Sequence, residues 1–315
     1  VRQDANGYWR VVETKPTAET IAARRKASPM LQSRPKRAIG DRNFAPRGLV
    51  ILVNFKDSKF AAGNSQSAMH DLMNSDSYTY NGATGSVRQY FSDQSDGQYA
   101  PEFDVVGPVT LKNNVAHYGG NNYNDEDKLP GDMVVEACSI ANANYGVDFT
   151  LYDNDNDGYV DFVYLIYAGK GEADGGAANT IWPHNWDLKS AAYYENCSYP
   201  KSSWIFDGKT INNYACSAEL DGQTGKRAGI GTIVHEYSHV IGLPDLYDID
   251  YGQNYENEAT PGAWHIMDGG SYNNDGKTPP NYSIYDKYFL GWKTPINLGA
   301  TAQNISLNAA GTAGY

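Results

Sequence analysis

His235-Glu236-Tyr237-Ser238-His239-Val240-Ile241-Gly242-Leu243-Pro244-Asp245 is the stretch on which the reading of the whole chain turns. Residues four apart on an α-helix project from one face, so His235 and His239 can share one metal ion. Glu236, the next residue round, is placed to reach a water held at that ion. Gly242 lets the helix stop and the chain bend, Pro244 keeps it from resuming, and Asp245 can swing back as a third ligand. Three protein ligands on zinc leave a coordination position open, which marks a catalytic rather than a structural site. Ile233, Tyr237, Val240 and Ile241 recur at helical spacing on the other side and predict a face packed into a core. A chance amphipathic helix accounts for two histidines four apart, but not for the Gly and Asp that follow at workable offsets.

Trp264-His265-Ile266-Met267-Asp268-Gly269-Gly270 sets Met267 in a turn-forming run some two dozen residues after the last expected ligand, as the Met-turn of metzincins does. Upstream, Leu49 to Phe55 reads as a buried strand from its apolar run. Ser86 is suited to cap a helix containing Val87, Tyr90 and Phe91, and a second helix is expected to begin at Asp132 and end near Gly146. Strands alternating with helices predict an α/β layer architecture ahead of the metal-site helix.

Asp153-Asn154-Asp155-Asn156-Asp157-Gly158-Tyr159-Val160-Asp161 carries acidic side chains at positions one, three, five and nine, with Gly at six, which resembles an EF-hand calcium loop. Position twelve is Tyr164 where a bidentate Glu is expected, and Phe162 to Tyr167 reads as a strand instead of an exiting helix. A structural calcium held by Asp153, Asp155, Asp157, Tyr159 and Asp161 is the expectation, because clustered carboxylates repel without a cation. The competing reading is an Asp/Asn-rich turn bonded to its own backbone. Asp248 and Asp250 form a less informative acidic pair, and Asp248 is also suited to bond a metal-ligating histidine. His184, flanked by Trp182 and Trp186, reads as a core histidine before a cleft residue, and His70, His117 and His265 show no partner pattern.

The likeness to known sequences extends beyond the metal segment. Gly48-Leu49-Val50-Ile51-Leu52-Val53-Asn54-Phe55-Lys56-Asp57, then Gly85-Ser86-Val87-Arg88-Gln89-Tyr90-Phe91 with Gln94-Ser95-Asp96-Gly97, resemble the opening strand, helix and turn of the immune inhibitor A family of secreted zinc metallopeptidases. Phe103 to Pro108, Asp157 to Asp161 and Lys287 to Trp292 continue the resemblance, which spans about residues 48 to 293. It implies an α/β (α+β) zincin or metzincin-like catalytic domain, a twisted mixed sheet with an active-site helix and the Met-turn below the zinc. It also implies Asp245 as third ligand where many metzincins carry a third His. A tyrosine beyond the Met-turn, such as Tyr272, is the transition-state stabiliser suggested by similar enzymes.

The chain has 315 residues, 41% of them hydrophobic, enough to bury the core of one large domain. A formal net charge of −12 argues against nucleic acid and anionic membrane surfaces as partners, and no apolar run is long enough to span a bilayer. Val1 is not followed by a leader pattern, so a targeting segment is expected to have been removed. Residues 1–47 are basic and Pro-interrupted, with Arg34-Pro35-Lys36-Arg37 near their end, and read as the tail of a pro-segment or a solvated arm. Catalytic sequence is expected over 48–295, and 296–315, with Ile305 and Leu307 alternating, reads as the start of a further β-rich region. Of three cysteines, Cys138 reads as a buried helical thiol, while Cys197 and Cys216 pair only if the fold brings them together.

The expectation is therefore a secreted or cell-surface zinc endopeptidase. His235, His239 and Asp245 would hold one zinc, and Glu236 would act as the base that activates water against a peptide bond. Extended polypeptides bind such enzymes by adding a strand to a sheet edge. Two alternatives stand beside it: an inactive zinc-binding recognition module, and a zinc hydrolase acting on amides outside proteins. Glu236 counts against the module, which needs ligands but no base.

Overall fold

The computed structural model describes residues 2–3, 9–10, 46–122, 126–173, 175–248 and 259–296. The expected pro-segment lies outside the described residues apart from 46–47 and a small ladder pairing Arg2–Gln3 with Trp9–Arg10. The expected β-rich continuation after residue 296, and Asp250, lie outside them as well.

A five-stranded mixed sheet forms the centre. In chain order its strands are β1 (Arg47–Asn54), β2 (Glu102–Thr110), β3 (Val163–Lys170), β4 (His184–Asp187) and β5 (Asn213–Leu220), and in space they run β2-β1-β3-β5-β4. The first four positions are parallel, and β4 closes one edge antiparallel to β5, with His184 opposite Cys216 and Trp186 opposite Tyr214. Gly48 to Val53 are all buried, as expected of a strand covered on both faces, whose sequence shows a continuous apolar run in place of alternation. At the far edge, β2 alternates buried and partly buried residues between two exposed ends.

Side chains of successive strand residues point to opposite faces, so β1 feeds two cores. Leu49, Ile51 and Val53 join Met133, Val134, Ala137 and Cys138 of α3 (Pro130–Tyr145) on one face. Val50 and Leu52 join Met69 and Leu72 of α1 (Gln66–Asn74), Val87 and Phe91 of α2 (Val87–Gln94), and Ile233, Tyr237 and Val240 of α4 (Gly231–Val240) on the other. Ser86 caps α2 as its sequence predicts, accepting from the Gln89 N–H at 3.1 Å. The second helix starts at Pro130, two residues ahead of the expected Asp132, and ends on Gly146. The strand after the acidic loop begins at Val163 and runs on to Lys170.

All three cysteines are free and buried. Cys138 is the helical thiol expected. The pairing considered for Cys197 and Cys216 is absent: Cys216 sits on β5 with its sulfur 3.5 Å from His184 Nδ1, and the Cys197 sulfur lies 3.9 Å from Tyr199 O.

Candidate active site

Helix α4 is anchored at its start by close backbone approach. The Gly231 N–H donates to Gly276 O at 2.8 Å, and a Cβ on Gly231 would lie 1.9 Å from Ser271 O, so no larger residue fits without moving the turn Gly269–Tyr272. At the other end Gly242 adopts a φ of 102°, where L side chains are strained, and the chain reverses. The reversal presents two groups to the helix. Leu243 O accepts from His239 Nδ1 at 2.8 Å, and Asp245 Oδ1 comes within 3.2 Å of Nε2 on both His235 and His239. The other imidazole is fixed from below, because Ile266 O accepts from His235 Nδ1 at 2.8 Å.

These contacts determine protonation. A carbonyl oxygen can only accept, so both Nδ1 atoms carry a proton, and in the neutral imidazoles each Nε2 presents a lone pair. Those lone pairs face Asp245 Oδ1, which is buried and has no hydrogen-bond partner. In that form the two Nε2 atoms and an Asp245 carboxylate oxygen are three electron-pair donors within 4.8 Å of one another, a set that fits a cation. Where a proton occupies Nε2 in place of a metal ion, burial pushes the Asp245 carboxyl up but hydrogen bonds from His235 and His239 hold it well below the usual range. Glu236 is buried, which pushes its carboxyl above its ordinary value against the pull of His235 and His239. Asp248, considered above as a partner for a ligating histidine, does not take that place, since both Nδ1 atoms are bonded to backbone carbonyls. The Tyr247 ring stacks on His235 with centroids 6.4 Å apart.

Met267 is fully buried, and its carbonyl accepts from the Leu246 N–H at 2.8 Å, which ties the turn to the returning chain. His265, to which the sequence assigned nothing, braces the same turn. Its Nδ1 accepts from the Met267 N–H at 3.0 Å, leaving Nε2 to donate to Asp286 Oδ2 at 2.6 Å. Asp286 also completes a capping box with Ser283 on α5 (Ile284–Phe289). The S-x-x-D pattern of that cap is legible in the sequence; its pairing with a histidine 21 residues away is not. Tyr272 ends the turn after Met267 and is half-exposed.

The acidic loop closes on itself more than expected. Asp153, Asp155 and Asp157 can bring one oxygen each within 4.8 Å of one another. Asp153 accepts from the Asp157 and Gly158 N–H groups at 3.0 Å and from Lys209 Nζ at 2.6 Å. Asp161 Oδ2 accepts from both N and Nδ2 of Asn154 at 2.7 Å. Tyr159 sends its N–H to Asp157 Oδ1 at 2.8 Å, and its side chain is exposed. His184 is a part-buried histidine with both ring nitrogens bonded, its Nδ1 on Trp182 O at 2.7 Å and its Nε2 on the Tyr214 hydroxyl at 3.1 Å. It lies on the face of the sheet opposite α4.

Several known proteins are similar to this chain. Immune inhibitor A of Bacillus thuringiensis subsp. alesti is 30% identical over 227 residues, covering 65% of this chain and 31% of the relative. The pre-pro-metalloprotease PrtV of Vibrio cholerae serotype O1 is 30% identical over 245 residues, 70% of this chain and 25% of the relative. A putative secreted metallopeptidase of Arthroderma benhamiae is 32% identical over 101 residues, 28% of this chain and 14% of the relative. The chain thus spans about a third or less of the length of the curated relatives it matches. Residues 45–296 match the catalytic domain of the immune inhibitor A peptidases, so this chain belongs to the immune inhibitor A peptidase M6 family, a family of metallopeptidases.

Proposed function

We propose that the chain hydrolyses peptide bonds in extended polypeptides outside the cell, with one zinc ion held by His235, His239 and Asp245. The observation that carries this reading is the buried Asp245 Oδ1 lying 3.2 Å from Nε2 of two imidazoles whose Nδ1 atoms are held by backbone carbonyls. Zinc bound there supplies a Lewis acid that polarises the scissile carbonyl and acidifies water. Glu236 takes the proton of the attacking water and passes it to the nitrogen of the leaving amine, and its buried setting, which raises its proton affinity, suits the second transfer as well as the first. Ile266 O and Leu243 O hold the two imidazoles in the ligating tautomer, and Met267 supports them from below. Tyr272 is assigned to the developing oxyanion.

Substrate is drawn to the sheet edge. β4 pairs with β5 on one side, and among the described residues no strand pairs with its other side, so an extended chain can add there by main-chain hydrogen bonds. Asn185 on β4 donates from Nδ2 to Glu236 O at 3.5 Å, which brings that edge against the base-bearing helix. The secreted setting is supported by the printed name of one relative, and none of the described helices is long and apolar enough to cross a membrane. The relative described as a pre-pro-metalloprotease supports reading the basic residues 34–37 as the end of a pro-segment. A structural calcium is proposed at Asp153, Asp155 and Asp157, where one lysine leaves the summed acidic charge uncompensated.

Glu236→Ala separates these roles. Metal analysis is expected to find one zinc per chain in both wild type and variant, while casein hydrolysis falls at least a thousandfold; Tyr272→Phe is expected to keep the zinc and lose on the order of a hundredfold in kcat. Casein cleavage by Glu236→Ala at the wild-type rate would refute the mechanism.

A further inference from the structure

A concavity opens on the other face of the sheet edge from His235 and His239. It has a volume of about 440 Å³ and is lined by Asp127 and Glu172, by Trp182, Trp186 and Tyr194, and by His184 and Asn185 of β4. Its floor is acidic and its walls are aromatic. The Asp127 side chain is 7% exposed, and while its Oδ2 accepts from the Trp182 N–H at 3.0 Å, its Oδ1 is buried with no hydrogen-bond partner. A buried carboxylate oxygen left unpaired costs free energy until a donor reaches it. The Trp186 and Tyr194 rings stack 6.3 Å apart at an interplanar angle of 26°, and Trp182 and Tyr194 are 50% and 65% exposed, so their faces are available to a cation.

Side chains alternate across a strand. A polypeptide paired with the outer edge of β4 therefore sends every second side chain toward α4 and the others toward the face on which His184 and Trp186 stand. Asn185 connects the two faces, since it lines the concavity and also bonds the backbone of Glu236.

We propose that this concavity is a subsite for the basic side chain of a polypeptide substrate, Asp127 pairing with a lysine ammonium or arginine guanidinium between the Trp182, Trp186 and Tyr194 rings. The inference rests on the peptidase reading above and adds the class of sequence the enzyme selects. Geometry favours an organic cation over a metal ion. Among the described residues Asp127 and Glu172 do not form a metal-ligating cluster with any third His, Cys, Asp or Glu, and most of the remaining wall is aromatic carbon. Burial, with Glu172 adding like-charge repulsion, raises the Asp127 carboxyl to about 7, the condition of a group that lacks a countercharge.

Asp127→Asn tests the assignment, because an asparagine still accepts from the Trp182 N–H while losing the charge. Two measurements are made on the zinc-loaded protein after circular dichroism and melting show that the variant folds as wild type does. Agmatine, an alkylguanidinium, is titrated while tryptophan fluorescence is followed; the expected result is saturable binding to wild type and at least tenfold weaker binding to Asp127→Asn. Casein digests are mass-mapped in parallel, and lysine and arginine are expected to be enriched at one fixed position from the cut, with the enrichment lost in the variant while cleavage of peptides neutral at that position persists. Equal agmatine binding by the two proteins overturns the proposal, as does calcium displacing agmatine at submillimolar concentration, which would make this an inorganic-cation site. Hydrolysis without basic preference overturns the subsite role. Asp127-dependent agmatine binding by a wild type that cuts nothing overturns the peptidase reading instead and leaves the cation pocket standing.

Discussion

Replacing His265 with alanine should unfold this domain more readily and loosen its metal together. His265 is 6% exposed and satisfies two buried groups at once, accepting from the Met267 N–H at 3.0 Å and donating to Asp286 Oδ2 at 2.6 Å. The alanine variant leaves the Met267 N–H without its partner in a buried turn, at about 1–3 kcal/mol. It removes a hydrogen bond to a carboxylate, about 1.5–3 kcal/mol, although Asp286 keeps the Ser283 N–H and hydroxyl as donors at 2.9 and 2.7 Å. The imidazole volume is lost as well. Together these amount to about 3–5 kcal/mol. For a domain of this size each kcal/mol moves Tm by about 2–4 °C, so a fall on the order of 10 °C is expected in a thermal scan. The turn that His265 braces also carries Ile266 O, which orients His235, and loss of such outer support commonly weakens metal binding about 10–100-fold. Competition against a chromophoric chelator measures that term separately. If His265→Ala melts within about 2 °C of wild type and retains its zinc affinity, the bracing role is wrong.

Calcium added to a chelated sample replenished with zinc should raise Tm, since a ligand that binds the folded state alone stabilises by mass action, and the double variant Asp155→Ala/Asp157→Ala should lose that rise. An unchanged wild-type Tm would leave the loop held by Lys209 and its own backbone alone. The three thiols should stay unreactive toward a disulfide reagent in the native protein and react together on unfolding, because burial pushes all three above the ordinary thiol range; rapid native labelling of any one would contradict the packing. Brief trypsin treatment should cut first within residues 34–37 and raise casein hydrolysis as it does, whereas a cut that leaves activity level would make this segment an arm only.

Local chemistry made the first half of the site legible from sequence. The period of a helix fixes that His235 and His239 share a face, Gly242 and Pro244 fix where the helix stops, and Ser86 and Gly146 mark helix ends by capping rules that involve neighbours a few residues away. Strand β1 was readable because a doubly covered strand needs an unbroken apolar run. What sequence could not provide was any property that depends on residues brought together from far along the chain. The carbonyls of Leu243 and Ile266 set the imidazole tautomers, yet a carbonyl belongs to every residue type and leaves no trace in composition. Cys197 and Cys216 looked pairable until the sheet gave the second to His184. The spacing of the acidic loop marks Asp161 as a possible ligand, while its bonds to Asn154 show only in the folded loop. Asp127, 57 residues from His184, became a buried carboxylate only when β4 took the sheet edge beside it. Burial and electrostatic pairing act through space, and only the tertiary structure decides which groups share that space.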